Sequence, residues 1–227
     1  MSAAQPVAKS EQQLFEAIRA GDASRVDELL EADPGLAGAR APDGASAVLM
    51  AIYCGHSEMV RLFEGRGVVL NLFEACAAGR SERVASLVGG DPALVGGYSD
   101  DGYPALGLAV FFGHDDIAWM LIERGADVNA ASHNSQRVTP LHAAAARHST
   151  KLVGDLLARG ADPDACQGGG FTALHTAAFH GDGEIVELLL GYGANPRQKT
   201  AEGKTAADIA TERGHAEVAA QLARVAG

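Results

Sequence analysis

The chain has 227 residues with 29 acidic and 18 basic side chains, a formal net charge of −11. That balance argues against a nucleic-acid backbone as partner, which a basic stripe would recognise. Cys54, Cys76 and Cys166 form neither a C-x-x-C pair nor a disulfide framework. No apolar leader or membrane-length run is present, so the expected compartment is the cytoplasm, with no membrane contact.

Residues 1–9 read as a short disordered lead. Ser10 with Gln13 makes a capping-box pair, and the first helix is expected to begin there. Leu14, Ala17 and Ile18 share one face, Gly21 ends that helix, and Val26, Leu29 and Leu30 line the next. The segment Leu14–Gly21 (LFEAIRAG) returns as Leu72–Gly79 (LFEACAAG). The same offset relates Asp33-Pro34 to Asp91-Pro92, Asp43-Gly44 to Asp101-Gly102 and Gly55-His56 to Gly113-His114. Residues 14–67 and 72–125 therefore read as a duplicated pair of units, each with an internal Asp-Pro turn. The link between the pairs, Val68-Val69-Leu70-Asn71, is too short to hold the loop found elsewhere. The opposite holds for residues 129–138, where two extra residues are inserted.

Beyond that point the chain becomes regular. Thr139-Pro140-Leu141-His142 is followed at a constant spacing by Thr172-Ala173-Leu174-His175 and then by Thr205. Thr172 stands at a helix N-cap, with Leu174, Ala177 and Ala178 on one face; Gly181 ends the helix and Asp182 is placed to cap another. Ile185, Val186, Leu189 and Leu190 line that second helix, and Gly193 closes it. Gly125-Ala126-Asp127, Gly160-Ala161-Asp162 and Gly193-Ala194-Asn195 mark equivalent ends. In the last unit Asp208 replaces the His of His142 and His175.

A period of about 33 residues, with Thr-Pro-Leu-His opening one helix and Gly-Ala-Asp closing the next, resembles the ankyrin repeat. The Ala/Gly content and polar lead are similar to those of bacterial stand-alone members. The resemblance covers residues 10–226 and implies an all-α fold: an ankyrin-like helical solenoid of about seven helix-turn-helix repeats with hairpin or loop fingers. The expected domain is a single array over 10–227, with repeats at approximately 10–42, 43–70, 71–100, 101–132, 133–166, 167–199 and 200–227. The first and last repeats read as caps. The short link at 68–71 should run straight into the next helix and leave a gap in the row of fingers.

The eight histidines do not form a site. His142 and His175 are set to bond the preceding Thr and tie adjacent units, while His56, His114 and His215 follow helix-ending glycines. None has the spacing of a zinc ligand pair, and the sequence shows no phosphate loop or nucleophile elbow. The expectation is no catalytic, metal or cofactor-binding residue, and a non-enzymatic protein.

The aromatic residues are more informative. In the family that the chain resembles, the last residues of the first helix and the residue before the Thr project toward the concave groove. Those positions hold Tyr53, Tyr103, Phe111, Phe112, Phe171, Phe179 and His180, with Tyr98 in an adjoining finger. His133 and Arg137 lie in the long finger. Gly107, in place of His, is expected to open space beside Tyr103 and Phe111, and Trp119 should be partly exposed. The expected function is recognition of a partner protein by a monomer, with Asp100, Asp101, Asp115 and Asp116 steering a basic partner surface. The alternative is a sensor or carrier holding a small apolar ligand near repeat four.

Overall fold

Alternation of apolar faces with glycine stops yields fourteen α-helices and three short 3-10 segments in the computed structural model, which describes residues 4–226 and the side chains of 9–225. Among the described residues no strand is present beyond two isolated bridges, and no helix is long and apolar enough to cross a membrane. The chain divides into two compact units, 1–105 and 106–227.

The first unit contains α1 (Ala4–Ala20), α2 (Ala23–Ala32), α3 (Ala47–Tyr53), α4 (Ser57–Gly65), α5 (Leu72–Ala77) and α6 (Ser81–Gly90). Part of the expected lead, residues 1–3, lies outside the described residues; from Ala4 the backbone is already helical, six residues before Ser10. Pro6 permits this because it sits in the first turn, where an N–H has no intrahelical acceptor to lose. The first helices α1, α3 and α5 pack side by side, and α2 packs on α4. Leu14, Ile18, Val26, Leu30, Met59 and Phe63 form a buried core between the layers. The Asp-Pro turns become 3-10 segments, Pro34–Gly38 and Pro92–Gly96, each capped by the Asp carboxylate accepting from the N–H two residues on.

The short link does run straight into α5. Asn71 caps α5 in a reciprocal box with Glu74, whose buried carboxylate also accepts from the Ser46 hydroxyl at 2.7 Å. The expected gap in the fingers is not there. The fingers at 40–46 and 98–104, each pinned by one bridge, close against each other across the missing one. Arg40 Nε meets Asp100 at 3.0 Å, and the Tyr53 hydroxyl donates to Asp101 at 2.6 Å. Gly44, at φ +94°, lets its finger approach so closely that a Cβ would collide with the Asp100 carbonyl. Beside the link lies a cleft of about 540 Å³ lined by Val68, Val69 and Leu70. There Arg80 holds both oxygens of Glu64 at 2.9 Å.

The second unit contains all but the first residue of α7 (Ala105–Phe112), then α8 (Asp115–Glu123), α9 (Pro140–Ala146), α10 (Thr150–Ala158), α11 (Ala173–His180), α12 (Gly183–Gly191), α13 (Ala206–Glu212) and α14 (Ala216–Ala226). Helices α9, α11 and α13 stack through alanines, with Ala143, Ala144, Ala145, Ala177, Ala178 and Ala210 all buried. Helices α10, α12 and α14 form the second layer, and Leu152, Leu156, Ile185, Leu189 and Leu222 fill the space between.

The Thr–His pairs tie these repeats together. The Thr139 N–H donates to Nδ1 of His142, so the ring proton resides on Nε2, which donates to the Phe171 carbonyl of the next repeat at 3.1 Å. His175 repeats the arrangement with Thr172 and reaches the carbonyls of Gln198 and Lys204. Burial holds both imidazoles below the ordinary histidine range, in the neutral form that these bonds require.

Candidate functional site

Each first helix of the 106–227 unit ends in residues that have little reason to be apolar, since they lie beyond the alanine contacts. Phe111, the penultimate residue of α7, is 54% exposed, while Phe112 is half-buried and meets its ring edge-on at 5.1 Å. Phe179 and His180 end α11 in the same way, with rings 5.1 Å apart. The guanidinium of Arg213, just beyond α13, lies 3.6 Å above the Phe179 ring. Arg147, just beyond α9, donates to the Phe111 carbonyl at 3.2 Å.

His148 was not anticipated as part of this surface, because it takes the place of a helix-ending glycine. It holds φ +59°, a conformation that costs a non-glycine residue about 1–2 kcal/mol. Its ring repays this locally, bonding the Asp182 carboxylate at 2.6 Å and packing edge-on against His180 at 4.6 Å. Asp182 is therefore not the side-chain cap of α12 that the sequence suggests; its carboxylate is engaged by His148. Partial burial, His148, His215 and Arg213 together lower the pKa of His180, against the opposing pull of Asp182. The sign available at sequence level was a His in a Gly position, and only the structure says what that His reaches.

The long finger owes its shape to Ser132, which is buried. Its N–H donates to the Val138 carbonyl, closing a loop two residues wider than the Gln167–Phe171 and Thr200–Lys204 fingers. The extra residues form a turn at Asn134–Arg137, where Arg137 adopts φ +50° and, with His133, is exposed to solvent. The neighbouring finger, Gly168-Gly169-Gly170, packs against that turn: Gly168 N–H donates to Gln136, and a Cβ on Gly168 would lie 2.9 Å from the Ser135 carbonyl. Phe171 is half-buried against the His175 ring at 5.8 Å.

In the 1–105 unit the candidate aromatics are more committed to the fold. Tyr53 lies 6.3 Å from Tyr103, and burial together with the Asp101 bond pushes its hydroxyl far above the ordinary phenol range. Tyr98 pairs with Pro104 at the base of its finger. Asp101, expected in a steering patch, is instead buried beneath Tyr53 and Ser99, and Asp100 is paired with Arg40. Among the described residues no group of histidine, cysteine or carboxylate side chains is arranged to hold a metal ion.

Comparison with known families settles the repeat type. Models of ankyrin repeats match residues 141–226, as three copies, and residues 101–133, as a single repeat. The chain is an ankyrin-repeat protein. Ankyrin repeats are in general protein–protein interaction modules and are typically non-enzymatic. In this ankyrin-repeat protein the matched stretches include every one of Phe111, Arg147, His148, Phe179, His180 and Arg213. Trp119 lies on the second-helix layer, half-buried, with Lys151 and Arg159 each about 5 Å from its ring as cation–π partners.

Proposed function

We propose that this ankyrin-repeat protein binds a partner protein through the first-helix ends and fingers of its 106–227 unit. The observation that carries the reading is Phe111, a large apolar ring 54% exposed at a helix end where the neighbouring repeat has Ala146 and the last repeat Glu212. A scattered surface leucine would mean little, but Phe111, Phe179 and the flanking cations lie at equivalent positions of stacked repeats. His133 and Arg137 at the wide finger extend the same surface, and Phe171 contributes its exposed edge. The rings are held by neighbouring groups before any partner arrives, so docking costs little side-chain entropy. Tyr53, Tyr98 and Tyr103 shape the fingers of the 1–105 unit instead.

The test is capture of partners from the source organism's lysate by wild type and by a Phe111→Ser, Phe179→Ser variant of the same unfolding midpoint. Truncating an aromatic anchor costs about 2 kcal/mol or more, roughly thirtyfold in affinity. A protein retained by wild type and lost by the variant supports the reading. Equal capture by both would move the surface elsewhere.

A further inference from the structure

We propose that the partner presents an extended acidic segment, carrying a carboxylate at about every third residue, to Arg147 and Arg213. This rests on the docking surface described above and adds the charge and backbone form of what it receives.

Arg25, Arg40, Arg66, Arg80, Lys151 and Lys204 all meet carboxylates within the chain. Arg147 and Arg213, like Arg83, Arg124, Arg159 and Arg224, are held by uncharged groups instead, a carbonyl for the first and an aromatic face for the second, but these two stand at first-helix ends beside Phe111 and Phe179. Among the described residues neither guanidinium has a carboxylate partner. A guanidinium stacked on a ring keeps its in-plane donors for a bidentate carboxylate. That of Arg147 gives one Nη1 N–H to Phe111 and packs over Gly113, where a Cβ would collide with it, so both side chains have already lost much of their rotamer freedom. His180 at the end of α11 is exposed, and Asp182 beside it is already paired with His148.

Spacing selects the form of the ligand. Helices packed through alanine, as α9, α11 and α13 are, lie about 8–10 Å apart. A polyproline-type strand advances about 3.1 Å per residue, or about 9 Å per three-residue turn. Carboxylates on every third residue therefore keep step with the repeats, and two of them roughly six residues apart would meet Arg147 and Arg213 with a third facing His180. Proline rings between them would lie on Phe111 and Phe179, as such strands do on aromatic-lined grooves. The net charge of −11 opposes encounter with an acidic chain. At about 0.1 M salt, charges more than about 10 Å away are largely screened, so the contact-range guanidiniums decide the outcome.

The probe is a fluorescent peptide of four Glu-Pro-Pro units, titrated by anisotropy with the full chain. A peptide of the same composition with its four Glu clustered at one end, and one of four Lys-Pro-Pro units, serve as comparisons. The expected result is saturable binding of the first, at least about tenfold tighter than either comparison. Arg147→Gln and Arg213→Gln, both at exposed positions, should each weaken it by about tenfold at an unchanged unfolding midpoint. Equal binding of the clustered peptide, no saturable binding, or unaltered affinity in both variants would overturn the proposal. So would a partner captured through Phe111 and Phe179 that carries no such segment, and in that case the docking surface itself would stand.

Discussion

Glycine at a helix end and glycine at a finger tip look alike in the sequence, but they do different work. Gly55 holds φ +80° with nothing within 4 Å of where a Cβ would stand. Gly44 holds φ +94° and faces the Asp100 backbone at contact distance. Either substitution by alanine carries the left-handed cost of about 1–2 kcal/mol. Only Gly44→Ala must also push two fingers apart, disturbing the Arg40–Asp100 and Tyr53–Asp101 contacts that depend on their approach. Asp101 is buried, so pulling Tyr53 away would leave its carboxylate short of a donor. Urea unfolding should therefore show a loss of about 1 kcal/mol for Gly55→Ala and about 3 kcal/mol or more for Gly44→Ala. Equal losses would mean that the fingers yield freely and that their closure contributes little.

At the scale of the element, the same helix-opening motif is used in two environments. Thr172 and His175 cap α11 and tie it to the next repeat from a site where both side chains are buried. Thr205 and Asp208 make the same capping box on α13, but the Asp208 carboxylate is exposed and accepts from Thr205 of its own turn. Asp208→Ala should cost about 1 kcal/mol, the ordinary value of a cap. His175→Ala should cost about 3 kcal/mol, since it also strips the Gln198 and Lys204 carbonyls of their shared donor and leaves a cavity. Comparable values in chemical unfolding would show that the inter-repeat bond is dispensable. This motif was legible in the sequence because it is local: a Thr, a His three residues on, and a glycine stop fix one helix. The apolar faces were legible for the same reason, and the duplicated pair because the same residues recur at one constant offset. The closing of two fingers across a missing third was not, since Arg40 and Asp100 are sixty residues apart in sequence and nothing local announces their meeting. Nor was the diversion of Asp182 from a cap to His148, where a side chain from the preceding repeat wins over the N–H groups beside it. The candidate surface was half legible: Phe111 and Phe179 follow from position in the repeat, whereas the guanidiniums that frame them depend on which way long side chains turn.

For the whole molecule, these assignments place different titrations in different units. His142, His175 and His180 all belong to the 106–227 unit, and all are held below the ordinary value of 6.5, chiefly by burial. The folded state then binds fewer protons than the unfolded chain, so the stability linked to these groups is complete above pH 6.5. It is lost as pH falls from there through their folded values, when protonation forces a charge against the Thr139 and Thr172 donors. Glu64, in the 1–105 unit, is held below 4.5 by the Arg80 guanidinium, so its contribution persists until pH falls below 4.5 and then through its folded value. Asp208 follows the same acid-side rule in the second unit, held down by its bonds from Thr205. Two windows follow, one beginning near pH 6.5 and one below pH 4.5. Hydrogen exchange, corrected for intrinsic rates and followed by mass spectrometry from pH 7 to pH 5, should show protection falling first in α9 and α11. Helices α3 and α5 should hold theirs over the same range. Simultaneous loss in all four helices would refute the assignment of the upper window to His142 and His175, and replacing both by Gln should in that case leave the profile unchanged.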